Sequence, residues 1–209
     1  MVIEIDAIGL GCPQPVIKTR EALSKSDGDC LLIKVNDPSS RDNVIRFLER
    51  SGVTIETVEQ KEDTFYILTA DTHSLVETDD PRPEELVCRT VLTDPPGGGK
   101  TVFFINKDRI GHGSDELGLN LMKAFVNTLN DLDVRPRFIC FMNGGVKLTL
   151  TGSDTLPALQ KLEESGVTML VCGTCLNYFG VTEQCRVGTV SNMYDIATTM
   201  LTSSKVITP

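Results

Sequence analysis

The chain has 209 residues, of which 40% are hydrophobic and 23% charged, with a formal net charge of −9. That length holds one large domain or two small ones, and the acidic balance excludes a non-specific nucleic-acid binder, because phosphates require a basic surface. No run approaches the roughly 18 apolar residues of a membrane helix, and the acidic N-terminus lacks the basic stretch of a signal peptide, so a cytoplasmic protein with neither nucleic-acid nor membrane partners is expected.

The chain opens on an apolar strand pattern, residues 2–8, that runs into Gly9-Leu10-Gly11-Cys12-Pro13-Gln14-Pro15 and then into a helical pattern. Gly11 lets the backbone turn without a Cβ clash. Pro13 biases Cys12 away from αR, which predicts Cys12 at the N-cap and Pro13 at the first helical position. Pro15 is tolerated because first-turn N–H groups have no intrahelical partner. The Cys12 sulfur is thus expected at the positive end of a helix, a field that favours thiolate over thiol.

The helix is predicted to run to about Lys25, followed by a buried strand over 30–35. Asp37-Pro38 opens a second helix that Gly52 ends. Residues 53–58 and 64–69 form a hairpin by pattern. Together 1–71 read βαβαββ, a two-layer sandwich. Residues 72–99 carry a net charge of −4 and end in Pro95-Pro96-Gly97-Gly98-Gly99. That composition describes an acidic linker, although a short strand is conceivable at 86–92.

From Lys100 strands alternate with helices: strands at 101–106, 138–142 and 167–171, and a last one at 205–208. Between them Ser114 opens a helix lined by Leu117, Leu121, Met122, Phe125 and Leu129; two further helices span about 154–164 and 192–201. This alternation implies a three-layer α/β domain with a mainly parallel sheet. In such sheets reactive groups gather beyond the carboxyl ends of the strands, which are left by three loops, 108–113, 143–152 and 172–180.

Seven cysteines without a secretory signal are expected as thiols. Only two histidines are present and Cys172-Gly173-Thr174-Cys175 has no second ligand pair, so neither zinc nor an organic cofactor is expected. Pro96-Gly97-Gly98-Gly99-Lys100-Thr101 is not a phosphate loop, since Asp94 occupies its first glycine position and the stretch precedes a strand. His112, between Gly111 and Gly113, reads equally as a loop residue or an acid–base group. Cys30 and Cys140 lie in apolar stretches and read as structural; Cys185, in an expected loop, is ambiguous, and Cys88 lies in the linker, where an exposed thiol is incidental. Cys172 and Cys175 follow a buried strand, with a short helix expected from near Thr174, and read as a redox pair, as one working and one resolving thiol, or as a structural pair.

Gly11-Cys12-Pro13-Gln14-Pro15 in its βαβαββ setting resembles the C-P-x-P signature of the SirA/TusA family. That resemblance implies that Cys12 carries a persulfide received from a cysteine desulfurase or other donor and relays it to an acceptor protein. Residues 100–209 resemble the DsrE-like fold, whose members also include persulfide-carrying cysteines and are often oligomeric. The fused order, with Cys172-Gly173-Thr174-Cys175-Leu176-Asn177-Tyr178 late in the chain, is similar to the YedF group linked to selenium metabolism. These resemblances favour a sulfur or selenium carrier using Cys12, supported by Gly11, Pro13 and Pro15, with Cys172 or Cys175 as a second site. The alternatives are a dithiol–disulfide protein working through Cys172 and Cys175, and a non-catalytic homo-oligomeric binding module.

Overall fold

A computed structural model of the chain describes residues 2–26, 28–70, 72 and 101–209. It divides into two compact units. The expected linker, apart from Thr72, lies outside the described residues, as do Cys88 and the short strand considered at 86–92.

In the first unit β1 (Val2–Asp6) runs parallel to β2 (Cys30–Val35), with α1 (Gln14–Leu23) as the crossover. After α2 (Pro38–Arg50), β3 (Ile55–Lys61) and β4 (Thr64–Thr69) form an antiparallel hairpin, and β4 inserts beside β2 to give the order β1-β2-β4-β3. Period-two patterning explains the single buried face: Leu31, Ile33 and Val35 of β2 and Phe65 and Ile67 of β4 point inward, against Val16 of α1 and Val44 and Leu48 of α2. Each such side chain, fully buried, stabilises the unit by about 1.5–3 kcal/mol. Asp37 caps α2, its carboxylate accepting the Ser40 N–H at 2.8 Å, with Pro38 in the first turn.

The second unit carries a five-stranded, wholly parallel sheet in the order β8-β7-β6-β5-β9, where β5 is Thr101–Ile105, β6 Phe138–Phe141, β7 Thr168–Cys172, β8 Thr189–Ser191 and β9 Lys205–Ile207. It is flanked by α3 (Asp115–Thr128), α4 (Leu156–Glu164), α5 (Gly173–Phe179) and α6 (Met193–Thr202). Consecutive residues of β6 (Ile139, Cys140, Phe141) and β7 (Met169, Leu170, Val171) are all buried, as covering both sheet faces requires.

The structure differs from expectation in several places. Helix α1 starts at Gln14, with Pro13 as its N-cap, so Cys12 precedes the cap by one residue. The cause is local: the Gln14 N–H closes a turn onto the Gly11 carbonyl at 3.0 Å, and the Pro13 carbonyl takes the first helical bond, from Ile17 N–H at 3.1 Å. The Cys12–Pro13 peptide is cis. The inward face of α3 is also rotated from the expected stripe: Met122, Val126 and Leu129 are buried, whereas Leu117 and Leu121 are 57% and 44% exposed. Gly118 sets that rotation, since a Cβ there would lie 2.8 Å from the Ile110 carbonyl oxygen. Strand β8 was not anticipated either; its Thr-Val-Ser sequence is too short and too polar to show a period.

Candidate functional site

The loop leaving β1 is fixed from several sides. Gly9 N–H donates to Asn36 Oδ1 at 2.7 Å, Ile8 N–H to Asp6 Oδ1 at 3.0 Å, and Lys18 Nζ to the Asp6 carbonyl at 3.0 Å. Cys12 is thereby held, partly exposed, just ahead of α1 and beside α2. Asn43 of α2, 2% exposed, directs Nδ2 at the Cys12 sulfur at 3.9 Å. The assignment of that amide is supported from its other side, where Arg46 Nη1 donates to Asn43 Oδ1 at 3.4 Å, a carbonyl-only role. Sequence reading missed Asn43; its signal is a polar residue on the buried side of α2, directly before Val44.

In the second unit the chain leaving β6 and the chain leaving β7 meet around one sulfur, that of Cys175. Cys172 closes β7 and is the N-cap of α5, and Cys175 lies three positions on. N-cap and third-position side chains face each other across the first turn, the relation that a capping box uses. Here that relation brings the two thiols into hydrogen-bond contact. Cys172 is 2% exposed and Cys175 partly exposed. Asn143, the first residue after Met142 at the end of β6, donates its backbone N–H to Cys175 Sγ at 3.1 Å.

That amide is aimed by the backbone around it. Asn143 adopts a positive φ of 45°, a conformation that Asn tolerates better than most residues. Gly145 follows, pressed so closely on β5 that a Cβ would fall 2.1 Å from the Ile105 carbonyl oxygen. The same oxygen accepts the Met142 N–H at 3.0 Å. The Asn143–Thr149 segment is a 3₁₀ helix and not the open loop expected. Beside it, Arg109 pairs with Asp108 at 2.8 Å and with Asp115, and its guanidinium holds the Asp108 carboxyl below the ordinary range. His112 is exposed and next to Lys107, with Nε2 3.0 Å from Nζ.

The Cys175 thiol is pulled down to about 6, chiefly by the hydrogen bond from Cys172 and then by the Asn143 N–H, with burial opposing both. At neutral pH Cys175 is therefore largely a thiolate, the nucleophilic form. Alkylation of Cys175, followed by peptide mapping, should rise with pH around 6 and be level above about pH 8. Cys172→Ala should move that midpoint up, toward the ordinary thiol value near ~8.5; a parent rate still climbing between about pH 8 and 9 would contradict the assignment.

The remaining described cysteines differ. Burial pushes the Cys140 thiol up to about 12, which makes it inert. Cys185 donates to the Val187 carbonyl and contacts Thr149 Oγ1, each at 3.5 Å, at the bridge between Leu150 and Cys185. Cys30 pairs in register with Val2. Among the described residues, no group of three or more His, Cys, Asp or Glu side chains is gathered as a metal would need, and no helix is long and apolar enough to cross a membrane.

Residues 100–209, more than half of the chain, match the DsrE/DsrF-like family model. The chain belongs to the DsrE/DsrF-like family. Its first unit, residues 3–70, matches the model of sulfurtransferase TusA. The same part is 31% identical over 61 residues to a candidate sulfur carrier protein of Archaeoglobus fulgidus, covering 29% of this chain and 79% of that protein. A second candidate sulfur carrier, from Methanocaldococcus jannaschii, is 33% identical over 66 residues, covering 31% of this chain and 88% of the relative. Among solved structures, the SirA-like protein of Desulfitobacterium hafniense is similar at 28% identity and a TM-score of 0.30, over 33% of this chain and 95% of that one. The ychN protein of E. coli is similar at 23% identity and a TM-score of 0.38, over 53% of this chain and 99% of that one. This DsrE/DsrF-like chain thus joins two units of sulfur-handling families.

Proposed function

We propose that the chain is a cytoplasmic sulfur carrier that holds a persulfide on Cys12 and passes it to Cys175 or to a partner protein. The observation that carries this reading is the setting of Cys175: a partly exposed sulfur receiving the Asn143 N–H at 3.1 Å on the carboxyl edge of the sheet. A persulfide carrier needs a nucleophile that accepts a sulfane sulfur and can also leave when an acceptor thiolate attacks. Hydrogen bonds to the Cys175 sulfur favour both steps, because each has that sulfur anionic. Cys172, almost wholly buried, is the weaker candidate for meeting a partner. At Cys12, Asn43 Nδ2 takes the equivalent donor role from a greater distance. Gly9, at a φ of 72°, turns the chain ahead of Cys12; Gly11 accepts the Gln14 N–H through its carbonyl, in a conformation that does not require glycine; Pro13 caps α1 and Pro15 lies in its first turn.

The donor under this reading is a cysteine desulfurase or an equivalent source of sulfane sulfur, and the acceptor is a downstream sulfur- or selenium-handling protein, as in the YedF group. The chain also assembles with copies of itself through its second unit, which has zero net charge over residues 100–209 and exposes Leu117, Leu119 and Leu121 on α3. Intact-mass spectrometry after donor treatment, run in parallel with cysteine and selenocysteine, tests the cargo. A sulfur carrier gains one sulfur mass for each loaded cysteine; a selenium-dedicated carrier gains only the selenium mass. A chain that gains neither overturns the reading.

The C-x-x-C pair alone supports a second reading, a dithiol–disulfide protein. Failure of Cys172 and Cys175 to form a disulfide under mild oxidation, with persulfide loading retained, would remove that alternative.

A further inference from the structure

We infer that the second unit has a further activity, the release of its cargo as free sulfide: Cys172 attacks persulfidated Cys175 and leaves a Cys172–Cys175 disulfide. The inference rests on the reading of Cys175 as a persulfide carrier and adds a role for the buried partner. Three features of the site support it. Cys172 and Cys175 stand at the N-cap and third position of α5, so their side chains meet across one turn. They differ in exposure, with Cys172 2% exposed and Cys175 open enough to be loaded. The Asn143 N–H, 3.1 Å from Cys175 Sγ, fixes that sulfur in place while its outer substituent changes.

Thiol–disulfide exchange requires the attacking, central and leaving sulfurs in line. Cys172 is buried and Cys175 partly exposed, so the inferred step places the terminal sulfur on the open side of Cys175, opposite the attacking thiol. The step balances. Cys172 Sγ forms a bond to Cys175 Sγ, the bond between Cys175 Sγ and the terminal sulfur breaks, and the Cys172 proton departs with that sulfur as hydrosulfide. The two cysteine sulfurs are oxidised to a disulfide, and the sulfane sulfur is reduced to sulfide. Each further turnover consumes a dithiol reductant, which restores both thiols. Attack by an external acceptor on the terminal sulfur is the competing fate, and it leaves Cys172 unchanged. The same pair therefore determines whether cargo departs as a transferred sulfane sulfur or as free sulfide.

The test uses the full chain with Cys12→Ser, so that only the second unit is read. The reduced protein is treated with inorganic polysulfide and freed of excess; released sulfide and peptide masses are then followed. One sulfide should appear for each Cys172–Cys175 disulfide formed. Cys172→Ser, and independently Cys172→Ala, should retain the added sulfur on Cys175 and release sulfide at least about tenfold more slowly. Release from both variants at the parent rate would overturn the inference while leaving Cys175 a carrier. If Cys175 takes up no sulfur in the parent or in either variant, the carrier reading itself fails, and the inference with it.

Discussion

Replacing Cys12 by alanine should reduce sulfur uptake by the first unit to background when the full chain is treated with a cysteine desulfurase and cysteine. Among the described cysteines, Cys12 alone lies at a turn ahead of a helix in that unit, beside a donor amide; Cys30, the other one there, is within β2. Asn43→Ala should keep the labelling site but slow uptake by about threefold to tenfold, the effect of losing one hydrogen bond of about 1 kcal/mol. If Cys12→Ala is labelled in the first unit as strongly as the parent, Cys12 is not the acceptor. If Asn43→Ala is loaded at the parent rate, the amide is only a packing residue.

The second large effect is expected at Gly145. A methyl group there would meet the Ile105 carbonyl at 2.1 Å for the oxygen and 2.9 Å for the carbon, so backbone must move on one side or the other. Such overpacking costs about 3 kcal/mol or more, equivalent to a fall of about 15 °C in the Tm of a unit this size. The displacement also breaks the Met142 N–H bond to the same carbonyl and moves Asn143, two residues upstream of Gly145. Gly145→Ala should therefore lose both stability and the low-pH alkylation of Cys175. The adjacent position is the control: a Cβ on Gly144 would approach nothing nearer than 3.6 Å, so Gly144→Ala should be within about 0.5 kcal/mol of the parent. Equal behaviour of the two variants would show that the close approach does not position the site.

Cys12 and the C-x-x-C pair were legible in the sequence because their neighbours are informative: glycine and proline around Cys12, and a fully apolar strand ending at Cys172. The strand alternation of β2 and β4 and the Asp37-Pro38 helix start were legible for the same reason, each being a local rule. What sequence could not supply was contact across elements. Asn43 meets Cys12 from 31 positions away, and Asn143 meets Cys175 from 32. Nothing in either neighbourhood marks the partner. The asymmetry between Cys172 and Cys175 was hidden likewise, since burial depends on what packs over β7. The α3 stripe was misplaced because apolar spacing favours Leu117 and Leu121 equally well; the close approach at Gly118 decides which face turns inward. The start of α1 moved by one residue because the Gly11–Gln14 turn, and not the proline alone, sets where helical bonds begin.

The most direct measurement is peptide-mapped mass spectrometry of the parent chain after brief treatment with a sulfur donor, with thiols and persulfides trapped by an alkylating reagent. Added sulfur is expected on the peptides holding Cys12 and Cys175, and none on those holding Cys30, Cys140 or Cys185. Added sulfur confined to those three, or absent from both Cys12 and Cys175, would contradict the carrier reading.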